Sequence, residues 1–338
     1  MRVQRPNLLA NSLRNFFGDY LPRLRGVSPH TTQSYRDSLV LLLRFLASHG
    51  HRDVVDLDLA DLNPTALFAF LAHLEQERKV CVATRNVRLA AIHAFFRFLA
   101  AQHPDQLELA QRVLGIPFKR TQKHGVDYLE EEEIEAVLSA IDCSTRDGRR
   151  DYVLLATMFN TGGRVQEIID LRVRDLQLTP PFQLRLFGKG RKERFCPLWP
   201  QTACLLRNFA KERQLDLRSD MLVFLNHRQQ PLTRFGVRYI LAKHLGNARR
   251  RAPNLVKKKL HPHSLRHSNA VALLKAGVDL STISQWLGHA SLNATNRYAT
   301  IDLEMKRQAI ARVHPVPHKR NVIAWRKNRT ILEWLEAL

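Results

Sequence analysis

The sequence predicts a mainly helical protein with one small antiparallel sheet, divided into two domains. Apolar residues recur at helical spacing over most of the chain, and a glycine-flanked turn joins two strand-like segments. A basic, glycine-bounded stretch separates a helical first third from the rest. With 338 residues, of which 45% are hydrophobic, the chain is long enough for two domains that each bury a core.

The first domain, residues 1–115, is predicted to be a bundle of four short helices. The segments with helical periodicity are Leu8–Leu24, Thr31–Leu46, Pro64–Glu77 and Thr84–Ala101. Ser28 and Pro29 precede the second segment, where serine would be the N-cap and proline the first helical residue. We therefore expect a well-defined helix start at this point.

The predicted linker, 116–127, falls in a polar and basic stretch bounded by Gly115 and Gly125. The second domain, 128–313, begins with an acidic run that is typical of the first turn of a helix, where the helix dipole favours negative charge. Most of this domain is predicted to be helical.

A small sheet interrupts the helices of the second domain. Gln183–Phe187 and Arg194–Leu198 are predicted strands on either side of the turn Gly188–Gly190. After the second domain, the tail 314–338 contains a proline-rich breaker followed by a predicted helix. The apolar stripe of that helix consists of Ile331, Leu332, Trp334, Leu335 and Leu338.

The charge of the chain predicts a polyanionic partner. Its 53 Lys and Arg residues against 31 Asp and Glu residues produce a formal charge of +22, far more than solubility requires. These basic residues are spread along the chain, which favours a broad surface that could follow a phosphate backbone. A membrane surface is the alternative, but no apolar run approaches the roughly 20 residues of a membrane span and Met1–Phe17 lacks a signal-type core. We therefore expect a cytoplasmic protein that does not bind membranes.

The cysteines of the chain form no Cys-x-x-Cys pair. They are Cys81, Cys143, Cys196 and Cys204, and they lie in apolar or mixed stretches. Such positions are typical of reduced, partly buried residues in an intracellular protein. A zinc site built from them is the alternative.

Three groups of polar residues in the second domain could carry chemistry. Arg164 follows a glycine pair and Glu167 lies one helical turn further on, which is also typical of a helix start with an ion pair. His263 and His267 are four residues apart and could hold a metal, although no glutamate of the His-Glu-x-x-His pattern lies between them. Tyr298, taken alone, would be a packing residue.

The order of the motifs indicates a family. Thr-Gly-x-Arg-x-x-Glu, Gly-Lys-Gly on the hairpin turn, His-x-Leu-Arg-His, Leu-Gly-His and a tyrosine nine residues later resemble the tyrosine recombinase (phage integrase) family over about 128–312. Ser28–Thr31 leading into Tyr35 is similar to the core-binding domain of that family. The resemblance implies an N-terminal SAM-like domain and a tyrosine-recombinase catalytic domain that clamp DNA, without the arm-binding domain of larger integrases.

The resemblance implies six catalytic residues and two supporting ones. The catalytic residues are Arg164, Lys189, His263, Arg266, His289 and Tyr298, and the supporting residues are Glu167 and His267. Tyr298 would attack a phosphodiester and form a 3′-phosphotyrosyl bond, while the two guanidiniums bind its nonbridging oxygens. Lys189 would protonate the departing 5′ hydroxyl, His263 would accept the tyrosine proton and His289 would donate to a nonbridging oxygen. The resemblance implies no metal and no other cofactor.

One residue departs from the family pattern. Gly163 stands where the family usually has Leu or Met, so we expect looser packing around Arg164. No catalytic group is lost by this change.

Further DNA contacts are expected from residues without a catalytic role. They are Thr31, Lys119, Arg120, Lys192 and Arg194. The two hairpin residues among them, Lys192 and Arg194, are expected to lie on a solvated basic face that meets phosphates.

The function implied by the resemblance is site-specific DNA recombination without ATP or metal, in the integration or transposition of a mobile element. Dimer resolution and inversion use the same chemistry and remain alternatives. A topoisomerase of the same chemistry and a DNA-binding accessory protein without turnover are further alternatives. The expected partners are double-stranded DNA and further copies of the chain, as a tetramer on synapsed sites. The tail would either close the core in cis or dock on a neighbouring subunit.

Overall fold

The computed structural model describes residues 7–121, 127–188, 192–216 and 218–288, together with Thr295 and Tyr298. The chain divides into two compact units, Met1–His124 and Gly125–Leu338, each with its own hydrophobic core. The predicted tail, 314–338, lies outside the described residues. Within the described ranges, no helix is both long and apolar enough to cross a membrane.

The first unit is helical. It contains α1 (Leu8–Asn15), which continues as a π-helix over Phe16–Leu24, then α2 (Pro29–His49), α3 (Pro64–Gln76), α4 (Val82–Gln102) and α5 (Leu107–Leu114), with 3-10 turns at Val54–Asp56, Leu59–Leu62 and Pro104–Gln106. The four predicted helices are confirmed, and α5 is additional. This helix has only eight residues, and it buries Ala110 and Val113. An apolar pattern this short is not recognised as helical periodicity in the sequence.

Local capping explains where α2 begins. The side chain of Ser28 accepts a hydrogen bond from the Thr31 N–H at 3.4 Å, and Pro29 is the first helical residue. This satisfies one of the N–H groups that a helix start leaves without an intrahelical partner. The predicted helix start is confirmed.

Phenylalanine side chains contribute to the core of the first unit, which otherwise consists mainly of leucines. Phe16, Phe70, Phe95 and Phe96 are fully buried, and the rings of Phe16 and Phe95 meet edge to face with centroids 5.5 Å apart. Burying a phenylalanine side chain stabilises a fold by about 1.5–3 kcal/mol. The contact between Phe16 and Phe95 therefore holds the π-helical segment against α4.

The second unit surrounds a small sheet with helices. The helices are α6 (Glu131–Ser139), α7 (Arg146–Thr161), α8 (Val165–Ile169), α9 (Pro200–Glu212), α10 (Arg234–Ala248), α11 (Pro262–Lys275) and α12 (Leu280–Leu287), with 3-10 turns at Val173–Asp175 and Pro253–Lys257. The predicted acidic helix start is confirmed at α6, where the Glu130 N–H donates to Glu133 Oε2 at 2.8 Å.

The sheet has three antiparallel strands in the order β1 (Leu176–Gln177), β2 (Gln183–Phe187) and β3 (Glu193–Pro197). The predicted hairpin corresponds to β2 and β3, and β1 is an additional strand of two residues. Leu184 and Cys196 lie opposite each other across this hairpin and are both buried. Their face of the hairpin therefore packs on the core.

The cysteines are all free thiols. Cys196 is buried, and burial raises the pKa of its thiol to about 12. The expected partial burial is wrong for Cys81, Cys143 and Cys204, which are exposed because they stand at helix starts, turns or outer helix faces. Among the residues whose positions are described, no group of three or more His, Cys, Asp or Glu side chains is arranged to hold a metal ion.

Candidate active site

Arg164 stands at a sharp turn between α7 and α8. Helix α7 ends at Thr161 and is capped by Gly162, whose φ of +58° lies in the left-handed region that glycine adopts readily. The Arg164 N–H donates to Glu167 Oε2 at 2.8 Å, and its Nη1 donates to Glu167 Oε1 at 2.8 Å. One carboxylate therefore fixes both the backbone and the side chain of Arg164.

The guanidinium of Arg164 has an accessible side. Its Nη2 donates to the Gly288 carbonyl oxygen at 3.0 Å, yet 38% of the side chain remains exposed. A guanidinium has more N–H donors than its contacts with Glu167 and Gly288 use. Arg164 can therefore bind an anionic ligand while it is held in place.

Glu167 is shared between two arginines. Its side chain is 3% exposed, and Arg194 binds it with Nη1 to Oε1 at 3.1 Å and Nη2 to Oε2 at 2.7 Å. Burial alone would raise the pKa of the Glu167 carboxyl, but hydrogen bonds and charge from Arg194, and then from Arg164, hold this pKa below its ordinary value. The expectation that Arg194 lies on a solvated face is wrong, because its guanidinium binds the buried carboxylate of Glu167.

Arg266 is buried at the start of α11. It is 1% exposed, and its Nη1 and Nη2 donate to the carbonyl oxygens of Gly162 at 2.7 Å and Leu287 at 2.6 Å. Burial, together with the nearby charge of Arg164, lowers the pKa of Arg266 to about 10, so the side chain is still charged at neutral pH. Both arginines therefore donate to carbonyls at the C-terminal end of α12.

Tyr298 is enclosed in the same unit. It is 1% exposed, and its phenol oxygen lies 2.6 Å from Nδ1 of His267. His267 is itself buried, and the ring of the exposed His263 meets it edge to face with centroids 4.7 Å apart. The structure thus places His267, given only a supporting part by the sequence, directly at the phenol.

Two of the six predicted catalytic residues, Lys189 and His289, lie outside the described residues. The hairpin that carries Lys189 is described up to Gly188 and again from Lys192. There the Gly188 N–H donates to the Lys192 carbonyl oxygen at 2.7 Å. Lys192 is exposed, in agreement with its expected position on a solvated face.

The remaining candidate DNA contacts belong to the first unit. Thr31 lies in the first turn of α2, and Arg120 is exposed. Lys119 Nζ binds Glu75 at 2.6 Å, while its backbone carbonyl and N–H bind the side chain of Asn86. The start of the predicted linker is therefore attached to the first unit, and residues 122–126 of that linker are outside the described part of the chain.

Fold and site together define a class of protein. The chain combines a helical domain, a second unit with a small sheet, two arginines at one helix end and an enclosed tyrosine. The model of the phage integrase family matches residues 127–305, and that of the phage integrase N-terminal SAM-like domain matches 15–103. The chain therefore belongs to the phage integrase family, the tyrosine recombinases, and its enzyme class is site-specific DNA recombinase. The predicted SAM-like and catalytic domains are confirmed.

Relatives match along nearly the whole chain. A protein from Sinorhizobium fredii named putative integrase/recombinase y4rC is 39% identical over 98% of both chains. The tyrosine recombinase XerC of Oceanobacillus iheyensis is 32% identical and covers 88% of this chain and 94% of its own. Among solved structures, the XerH recombinase bound to difH substrate is similar in fold, with a TM-score of 0.65 and 23% identity, over 88% of this chain and 83% of its own.

Gly163 departs from the family pattern in a way that the structure explains. A Cβ atom at this position would lie 2.6 Å from Cδ1 and 2.9 Å from Cγ1 of Ile168. Ile168 is fully buried, so it cannot move aside easily. The expected looser packing is wrong at this point, because the Ile168 side chain fills the space that a larger residue would need.

We expect Gly163→Ala to lower the free energy of unfolding by about 1–3 kcal/mol, because the new methyl group overpacks against Ile168. Ile168→Val, which removes Cδ1, should alone cost about 0.5–1.5 kcal/mol. The double variant should lose clearly less than the sum of the two single losses in urea unfolding. Strictly additive losses would show that Ile168 is not the obstacle.

Proposed function

We propose that this chain cleaves and rejoins double-stranded DNA through a 3′-phosphotyrosyl bond to Tyr298, in the integration or transposition of a mobile element. The observation that carries the proposal is the convergence of Arg164 and Arg266 on the end of α12, in the unit that encloses Tyr298. A phosphodiester under attack gains negative charge on its nonbridging oxygens, and fixed guanidiniums stabilise that charge. The net charge of +22 supports DNA as the partner.

In the proposed cleavage step, the phenol oxygen of Tyr298 bonds to phosphorus and the bond from phosphorus to the 5′ oxygen breaks. The phenol proton passes to a histidine, and Lys189 protonates the departing 5′ oxygen. His289 donates a hydrogen bond to a nonbridging oxygen. Because the phosphotyrosyl bond retains the energy of the phosphodiester, the reverse reaction rejoins DNA without ATP.

Two histidines have successive parts in this proposal. His267 holds the phenol of Tyr298 while the tyrosine is enclosed, with 2.6 Å between the phenol oxygen and Nδ1. Because Tyr298 is 1% exposed, it must move out before a phosphodiester can reach its oxygen. We assign His263, which is exposed and packs on His267, as the proton acceptor once the phenol has moved.

The biological outcome proposed is integration or transposition. It is supported by the relative named putative integrase/recombinase, which is similar over 98% of both chains. The fold is also similar to that of the Tn1549 transposon integrase in complex with circular intermediate DNA, with a TM-score of 0.66 and 17% identity. Free thiols and a DNA substrate both suit the cytoplasm, which is the proposed compartment.

We further propose that the tail docks on a second copy of the chain and links a tetramer on synapsed DNA. A cleft of about 490 Å³ in the second unit could receive its apolar stripe. The apolar lining includes Ile134, Phe159, Trp199 and Val271, and the acidic residues Glu130, Glu131 and Glu132 also line the cleft. These acidic residues complement the basic residues that precede the stripe in the tail, such as Arg326 and Lys327.

Tyr298→Phe should bind the recombination site and form no covalent adduct, because the attacking oxygen is missing. The measurement is adduct formation on a duplex nicked beside the cleavage position, resolved on a denaturing gel. Wild-type protein should accumulate the adduct, because the nick lets the 5′-hydroxyl fragment leave. Wild-type protein that binds this site and never becomes attached would support a catalytically silent accessory protein instead.

Cells that express the chain beside its native flanking DNA should contain new junctions between the element ends and unrelated target DNA. Sequencing of these junctions distinguishes the outcomes, since resolution and inversion rejoin only sites of the original pair. Cells that express Tyr298→Phe are the control and should contain no new junctions. Junctions confined to the original pair would contradict integration.

Deletion of 321–338 should leave binding to a single site unchanged and abolish assembly of two sites into one complex. Gel mobility of complexes with one and two labelled duplexes measures both properties. Glu131→Lys, at the acidic lining of the cleft, should weaken assembly in the full-length chain. Normal assembly by the deletion variant would rule out docking in trans.

A further inference from the structure

Arg194 lies where three segments of the proposed active site meet. It stands on β3 of the hairpin, and it binds both oxygens of Glu167 on α8. Its Nε donates to the Trp286 carbonyl oxygen near the end of α12 at 2.9 Å. A single side chain therefore joins the hairpin, the start of α8 and the end of α12.

The charges around Glu167 show what Arg194 contributes. If Arg164 were the only partner of Glu167, the carboxylate would neutralise its positive charge. No net positive charge would then be left to attract a phosphate. With Arg194 as a second partner, two guanidiniums face one carboxylate and one positive charge remains. The accessible guanidinium is that of Arg164, because the side chain of Arg194 is 12% exposed.

Arg194 also lies directly against the backbone that holds Arg164. Gly288 has a φ of +63°, and a Cβ atom at that residue would lie 3.1 Å from both Cδ and Nη1 of Arg194. The carbonyl of the same glycine accepts the hydrogen bond from Arg164 Nη2. A displacement of Arg194 would therefore disturb both anchors of Arg164, namely the carboxylate of Glu167 and the carbonyl of Gly288.

We propose that Arg194 is a positioning residue for strand cleavage. It neutralises Glu167 and attaches the hairpin to α12, so that Arg164 keeps its charge and orientation for the scissile phosphate. This inference rests on the proposed function, since it assigns Arg194 an effect on the same reaction. If Arg194 instead contacted a phosphate itself, its substitution would weaken DNA binding and would not slow the cleavage step.

The experiment separates binding from chemistry in the full-length chain. The probe is a nicked duplex that carries the mapped junction sequence, and two quantities are measured: the dissociation constant and the single-turnover rate of adduct formation at saturating protein. Arg194→Met should slow adduct formation by about 100-fold, as expected when a catalytic group is misplaced, and should change the dissociation constant by less than about 3-fold. Arg194→Lys keeps the charge without the bidentate geometry, so its rate of adduct formation should lie between the rates of the wild-type protein and of Arg194→Met.

A matched control comes from the same sheet. Arg185 on β2 binds the buried Asp175 with Nε at 3.1 Å and Nη2 at 2.8 Å. Arg185→Met therefore removes a comparable ion pair outside the site and should leave the cleavage rate at its wild-type value. An equal loss of rate in this control would show that the effect of Arg194 is a general effect of sheet stability.

A double-variant comparison tests whether Arg194 acts through Glu167. In a Glu167→Gln background there is no carboxylate to neutralise, so adding Arg194→Met should slow cleavage by clearly less than the roughly 100-fold expected in the wild-type background, and the remaining loss measures the contact of Arg194 with the end of α12. The comparison of Glu167→Gln with the double variant can be made even if Arg194→Met alone does not fold. The double variant removes both buried charges, so neither is left unpaired.

Two results would overturn the inference. One is weaker binding by Arg194→Met with a wild-type rate at saturation, which indicates a DNA contact. The other is an undiminished effect of Arg194→Met in the Glu167→Gln background. Absence of an adduct with wild-type protein would instead reject the proposed function, so the two failures are distinguishable.

Discussion

The buried carboxylate of Glu167 is the constraint on which the candidate site depends. A desolvated charge is strongly unfavourable unless it is paired and hydrogen-bonded, and both oxygens of Glu167 accept hydrogen bonds from Arg164 and Arg194. Because these arginines come from the start of α8 and from β3, pairing one carboxylate fixes a helix and a hairpin relative to each other. The excess positive charge at the site follows from the same arrangement.

The end of α12 is the second anchor. Carbonyl groups at the C-terminus of a helix carry partial negative charge. Those of Trp286 and Gly288 accept hydrogen bonds from Arg194 and Arg164, and the neighbouring carbonyl of Leu287 accepts one from Arg266. These carbonyl groups therefore hold three arginine side chains close together at one helix end, although their positive charges repel one another. This arrangement concentrates positive charge at the candidate site.

The elements that the sequence predicted are those with local causes. Helix α2 begins where Ser28 and Pro29 place it, and the hairpin of β2 and β3 follows from alternation around a glycine-flanked turn. The elements it missed, α5 and β1, are short and depend on packing against neighbours. Arg194 was misplaced although a signal existed: it lies two residues before the buried Cys196 on β3, and alternation directs both to the inner face.

The sequence by itself determined the family and the order of the motifs, and it supplied the proposed reactive groups, since these depend on residue type and spacing alone. Only the tertiary structure decided which groups meet. Arg164 reaches a carbonyl 124 residues away, and Arg194 reaches a carboxylate 27 residues away. His267 approaches Tyr298 across 31 residues. Spacing along a chain specifies neighbours within a helical turn or a hairpin, whereas contacts at such separations depend on how the helices and the sheet pack.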